Sequence, residues 1–249
     1  MKWPVARRSG RVAVGLIALL VTAGCTTAPA PVVIYEDRQD AVWLMFDPAA
    51  GTGHSHPASI TPEQIMKVLQ GVRVRGRDVF VGFGVFADEE GVPAFSLTER
   101  TRLATHLAQA LKKASPKDLV TFYIVTQDPD RGKLVTSGGL FVRQNRLYFM
   151  LANAHTSPSS VQYENTYEIG TRDQPLLPLA RYKFTVGFMP PQALVSKAEV
   201  RGTRDYQGYM DESKLLVIDL GRLFSPRQGT PSAQDLPSPE ESRPQATRP

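Results

Sequence analysis

Cysteine is nearly absent from this chain, with Cys25 the single one in 249 residues. One thiol excludes an internal disulfide, so a folded domain must be held by a buried core. An excess of charge is missing as well. The 29 basic and 24 acidic residues sum to +5, but Lys2, Arg7, Arg8 and Arg11 precede Cys25 and no acidic residue does; the remainder sets 25 against 24, a net +1. That balance removes the electrostatic argument for nucleic acid, which calls for a basic face. Catalytic signatures are also lacking: no helical HExxH, no GxSxG elbow and no SxxK occurs, which weighs against the hydrolase classes that use them.

The first 25 residues decide where the rest resides. The four basic residues form a positive leader, and residues 12–23 follow as an uncharged apolar run. This is the anatomy of an export signal, and the run is shorter than the roughly 20 residues that span a bilayer. The segment Leu20-Val21-Thr22-Ala23-Gly24-Cys25 resembles the signal of bacterial lipoproteins, in which small residues precede a cysteine that is lipidated and becomes the mature N-terminus. Thr22 stands where that family usually has Leu. Ordinary cleavage after Ala28-Pro29-Ala30 is the alternative, with Pro31 an awkward residue beyond the scissile bond. The resemblance implies a signal peptide over residues 1–24 and lipidation of Cys25, palmitate included. It also implies an outer-membrane address facing the periplasm, since Thr26 rather than Asp follows the cysteine.

Residues 25–40 read as a lipidated tether, kept extended by proline and burying little. Residues 41–224 suffice for one globular domain, and the Pro-rich, polar residues 225–249 are expected to be a disordered tail. Within the domain, the apolar run 41–46 reads as a buried strand ended by Asp47-Pro48. Thr61, Pro62 and Gln64 mark a capping-box helix start with Gly71 as its stop, and Ser96 with Glu99 marks a second. Leu103, Ala104, Leu107, Ala108 and Leu111 continue that second helix at helical spacing up to Lys112, Lys113 and Pro116. Residues 72–87 predict one long or two short strands, and 89–93 a turn. Residues 119–125, 134–143 and 146–154 predict three strands, the last two joined across Gln144-Asn145 as a hairpin. Residues 156–178 have no sustained period and read as a long loop or extra strands. Tyr182, Phe184, Val186 and Phe188 alternate with polar or small residues as in a one-sided strand, and residues 214–220 supply a final one. This order implies an α+β fold, a mostly antiparallel sheet backed by two main helices.

Chemical leads are few. His54-Ser55-His56 places two imidazoles where they could hold zinc, with Asp47, Asp78 or His155 completing the set; the alternative is a turn that positions the helix after Thr61. Residues 82–87 match a GxGxxA skeleton, yet they run into Asp88-Glu89-Glu90, which would repel phosphate. Asp128 and Asp130 form a fragment of a calcium loop without its third ligand, best read as a strand turn. Ser137-Gly138-Gly139 suits a β-bulge as well as a ligand contact, and His106 reads as a boundary histidine. Tyr163 and Tyr167 suit an interaction surface, because tyrosine offers broad contact at low entropy cost. The reading that follows is a membrane-anchored envelope lipoprotein that binds a protein partner or supports an assembly without catalysis. A periplasmic-side metal-binding protein or metallohydrolase centred on His54 and His56 is the alternative.

Overall fold

The protein is described by a computed structural model covering residues 28–76, 90–157, 172–179, 184–196, 199–200 and 212–225. Both helices begin as their capping residues dictate. In α1 (Pro62–Gly71) the Thr61 hydroxyl accepts from Gln64 N–H, while the Gln64 side chain accepts from Thr61 N–H. In α2 (Leu97–Lys113) Ser96 and Glu99 repeat that exchange, and Lys112 and Lys113 stand at the negative end of its dipole. The buried stripe of α2 is the one read from spacing: Leu103, Ala104, Leu107, Ala108 and Leu111.

These helices back a six-stranded, wholly antiparallel sheet. In sheet order its strands are β1 (Val32–Glu36), β2 (Ala41–Phe46), β5 (Asp118–Asp128), β6 (Gly132–Arg143), β7 (Arg146–Thr156) and β9 (Leu215–Asp219). A smaller antiparallel sheet sets β3 (Val72–Arg75) between β4 (Val92–Pro93) and β8 (Thr185–Phe188). The core between them combines Val42, Val120, Phe122, Phe149 and Ile218 of the large sheet with Leu107 and Leu111 of α2, Ile65 and Leu69 of α1, and Val72 and Phe188 of the small sheet. A short helix, α3 (Leu220–Phe224), follows β9.

The other face of the large sheet is buried too, beneath Leu176, Leu179, Val195 and Val200. Burial on both faces explains why β5 and β7 are nearly continuous apolar runs instead of alternating ones. Part of the patternless stretch does the covering: Pro175, Leu177 and Leu179 are held by the buried Ser137 and Asn153 side chains. Ser137 and Gly138 flank a bulge in the β6–β7 ladder. A Cβ on Gly138 would lie 2.1 Å from the Met150 carbonyl oxygen and 2.9 Å from Phe122 Cζ, so the glycine admits a close backbone approach.

Three expectations change. Residues 32–36, assigned to the tether, form the edge strand β1, whose hairpin to β2 is closed by Asp37 accepting from the N–H groups of Gln39 and Asp40. Residues 92–93, assigned to a turn, pair with β3. Gly71 is the last residue of α1 rather than a left-handed stop; a Cβ there would meet the Met189 carbonyl and the Phe188 ring at 2.5 Å. Cys25, Asp78, the glycines at 82 and 84, Tyr163, Tyr167 and the tail from 226 lie outside the described residues. Among the described residues no helix is long and apolar enough to cross a membrane.

Candidate functional site

The large sheet has two ends, and each carries a carboxylate–imidazole pair. One end joins Val32, Phe46, Asp118, Arg143 and Arg146; the other joins Glu36, Ala41, Asp128 and Gly132.

At the first end, Asp47 caps the short turn Pro48–Ala50 through one carboxylate oxygen and meets His54 Nε2 at 2.7 Å with the other. The His54 ring is fully enclosed and lies on Phe141, with centroids 4.1 Å apart. The chain then turns back on β6. The ladder between β5 and β6 ends at the pair Val120 and Leu140, which leaves the groups of Val142 unpaired on that side. The loop takes both: Ser55 N–H donates to the Val142 carbonyl at 2.7 Å, and Val142 N–H donates to His56 Nε2 at 3.1 Å. A backbone N–H can only donate, so His56 Nε2 carries its lone pair and Nδ1 carries the proton. Burial is the main reason the His56 pKa falls to about 4, with the neighbouring His54 adding to the fall and the carbonyls of Ser115 and Asp118 opposing it. The Nδ1 atoms of both histidines are buried without a hydrogen-bond partner.

The second end is built on the N-terminus of α2. Glu99 is buried, with its two oxygens accepting from Ser96 N–H, the Thr126 hydroxyl and His155 Nε2 at 2.7, 2.9 and 2.9 Å. Burial would raise its pKa, but the hydrogen bond and charge of His155, with Ser96 and Thr126, bring it down to about 2. His155 reaches Glu99 because β7 is irregular. A second register shift falls between its pairings Asn153–Ser137 and Thr156–Val135, and His155 has φ +46°, a left-handed conformation that a histidine seldom adopts. Its N–H donates to the Thr136 hydroxyl at 3.1 Å. Beside this cluster, Arg102 pairs with the buried Asp40 at 2.8 Å, tying the β1–β2 hairpin to α2, and His106 stacks on Tyr35 of β1.

The histidines named from the sequence therefore divide. His54 and His56 share one loop, and Asp47, one of three residues offered to complete their set, pairs with His54. His155 is eight residues further along β7 than Leu147, the partner of Val142, or about 26 Å at strand rise, so it belongs to no common site with them. With its proton on Nδ1 and its lone pair on Val142, His56 offers an ion no donor atom without breaking that bond. Among the described residues no three His, Cys, Asp or Glu side chains are grouped to hold one ion. At the second end Thr126 donates its hydroxyl to Glu99, and the Thr136 hydroxyl accepts from His155 N–H. Glu99 is legible in the sequence only as a capping residue, because its partner His155 lies 56 positions away, a distance no local pattern spans.

No protein-family model matches this chain, and neither a curated protein nor a solved structure matches it. The class is therefore defined by architecture alone: an α+β domain with a two-sided antiparallel sheet.

Proposed function

We propose that the chain is a bacterial envelope lipoprotein, held at the periplasmic face of the outer membrane by acyl chains on Cys25, whose α+β domain binds a protein partner or supports an assembly. The observation that carries this reading is the order of positive leader, apolar run and Leu20-to-Cys25 segment. Its spacing to the domain agrees. Strand β1 opens at Val32, seven residues after Cys25, a reach of at most about 25 Å, so the domain sits close to its anchor.

The non-catalytic part of the reading is supported by the occupation of the candidate groups. His54, His56, Glu99 and His155 all have internal partners: His54 is paired with Asp47, His56 joins its loop to β6, and Glu99 with His155 joins α2 to β7. Tyr163 and Tyr167 remain the proposed contact residues, on the strength of their side-chain chemistry. In cells fed labelled palmitate, the wild-type chain is expected to carry label and fractionate with membranes, and Cys25→Ala to lose the label and appear in the soluble periplasm. A wild-type chain that takes up no label, or a Cys25→Ala variant that still takes it up, would overturn the anchoring claim. Gentle affinity purification of the anchored form is expected to bring down a stoichiometric protein partner; a chain recovered alone would count against the binding role.

A further inference from the structure

We infer that the end of the sheet from which the tether emerges is itself a membrane-contact surface, fitted to a bilayer rich in anionic phospholipid. The inference rests on the lipoprotein reading for the position of the membrane, and on the following side chains for the contact. Val32 and Val33 are 56 and 55% exposed and Phe46 is 40% exposed. All three lie at one corner. Val32 pairs with Leu44, two residues before Phe46, so Val32 and Phe46 share the helix side of the sheet while Val33 takes the other side. Strand β1 is also the sheet's edge. The opposite edge, β9, is covered by Leu194 and Val195, which pair with Ile218 and Val217.

Cations border this corner. Phe46 pairs with Asp118, and Lys117 beside it lies about 10 Å, two strand spacings, from β1. Lys112 and Lys113 end α2 just before that point, and all three lysines are exposed. Of the carboxylates near this end, Asp47 is buried against His54 and Asp118 accepts from Ser115 N–H, while Glu63, exposed in the first turn of α1, is one acid against three lysines. Glu199 and Asp219 pair with Arg146 and Arg222 on the β7–β9 side. Exposed apolar groups flanked by lysines, within reach of a lipidated residue, match what an anionic bilayer interface binds: apolar area enters the headgroup boundary, and each lysine gains from the surface potential. Docking through this corner turns the far end of the sheet, with His155, toward the periplasm.

The single cysteine makes this testable on the intact lipidated protein. A Val33→Cys variant, its Cys25 sulfur blocked by lipid, takes one thiol-reactive fluorophore; an Asp130→Cys variant places the same dye in the far hairpin. Both are reconstituted in phosphatidylcholine vesicles with and without phosphatidylglycerol, containing a headgroup-level quencher lipid. Strong quenching at Val33, weak quenching at Asp130, and a Val33 signal that grows with phosphatidylglycerol and fades in high salt are expected. Adding Lys112→Gln, Lys113→Gln and Lys117→Gln should lower the docked-to-undocked ratio about fivefold per lysine. Equal quenching at the two sites, or indifference to anionic lipid, would overturn the inference. If Cys25 is not lipidated, the mass of each variant shows no acyl chains, and it takes two dyes where Cys25 is retained or one where cleavage after Ala30 has removed it. The anchoring reading then fails by itself, and docking is judged by flotation of the chain with added vesicles: preference for phosphatidylglycerol, lost in the lysine variant, sustains it, and no preference ends it.

Discussion

His56 should make the stability of this domain depend on pH in the mildly acidic range. Its Nε2 accepts the Val142 N–H, its ring is buried, and its pKa is depressed from 6.5 to about 4. The unfolded chain binds a proton near pH 6.5 that the folded chain refuses until about pH 4. Stability is therefore complete above pH 6.5 and falls as pH drops toward 4. With those two values, linkage gives a loss of about 2 kcal/mol between pH 7.5 and pH 5. For a domain of this size that corresponds to roughly 4–8 °C in Tm. A His56→Gln variant retains an acceptor for Val142 but does not titrate. The difference in unfolding free energy between wild type and variant should therefore change by about 2 kcal/mol across that interval. Urea titrations followed by tryptophan fluorescence suit the measurement, since Trp43, one of two tryptophans in the chain, is buried in the sheet. Parallel curves for the two proteins from pH 7.5 to 5 would refute the claim that His56 is held neutral.

A lower window belongs to Glu99. Its pKa is depressed from 4.5 to about 2, so it stabilises the fold above pH 4.5, and this contribution is lost as pH falls through about 2. A double-mutant cycle of Glu99→Gln and His155→Gln at pH 6 should return a coupling of about 1–3 kcal/mol; additive effects would mean that the 2.9 Å contact contributes nothing. Gly138→Ala should cost about 3 kcal/mol or more, since the new methyl has only the Met150 carbonyl and the Phe122 ring to displace. Chemical denaturation measures that loss, and a cost below about 1 kcal/mol would show that β7 can move aside.

Legibility followed the range of the forces involved. Both capping boxes were readable to the residue, because each is an exchange of hydrogen bonds within four positions. The strand at residues 41–46 and the hairpin at Gln144-Asn145 were equally plain. β1 was not. An edge strand is short and exposed, and its register to β2 is set by pairing that no internal period announces. The His54-Ser55-His56 loop invited a metal reading because sequence shows the two imidazoles and hides the Val142 N–H that takes up one of them.

The sequence by itself determined the helix starts, the strand-rich second half and the mostly antiparallel α+β class, since local hydrogen bonding and hydrophobic period depend on near neighbours. Only the tertiary structure decided that His155 pairs with Glu99 instead of joining His54 and His56, and that the sheet is buried on both faces. It alone also decided that the exposed corner at Val32, Val33 and Phe46 lies beside Lys117. These are contacts between residues tens of positions apart. Chain packing brings them together through bulges and register shifts that a one-dimensional pattern does not encode.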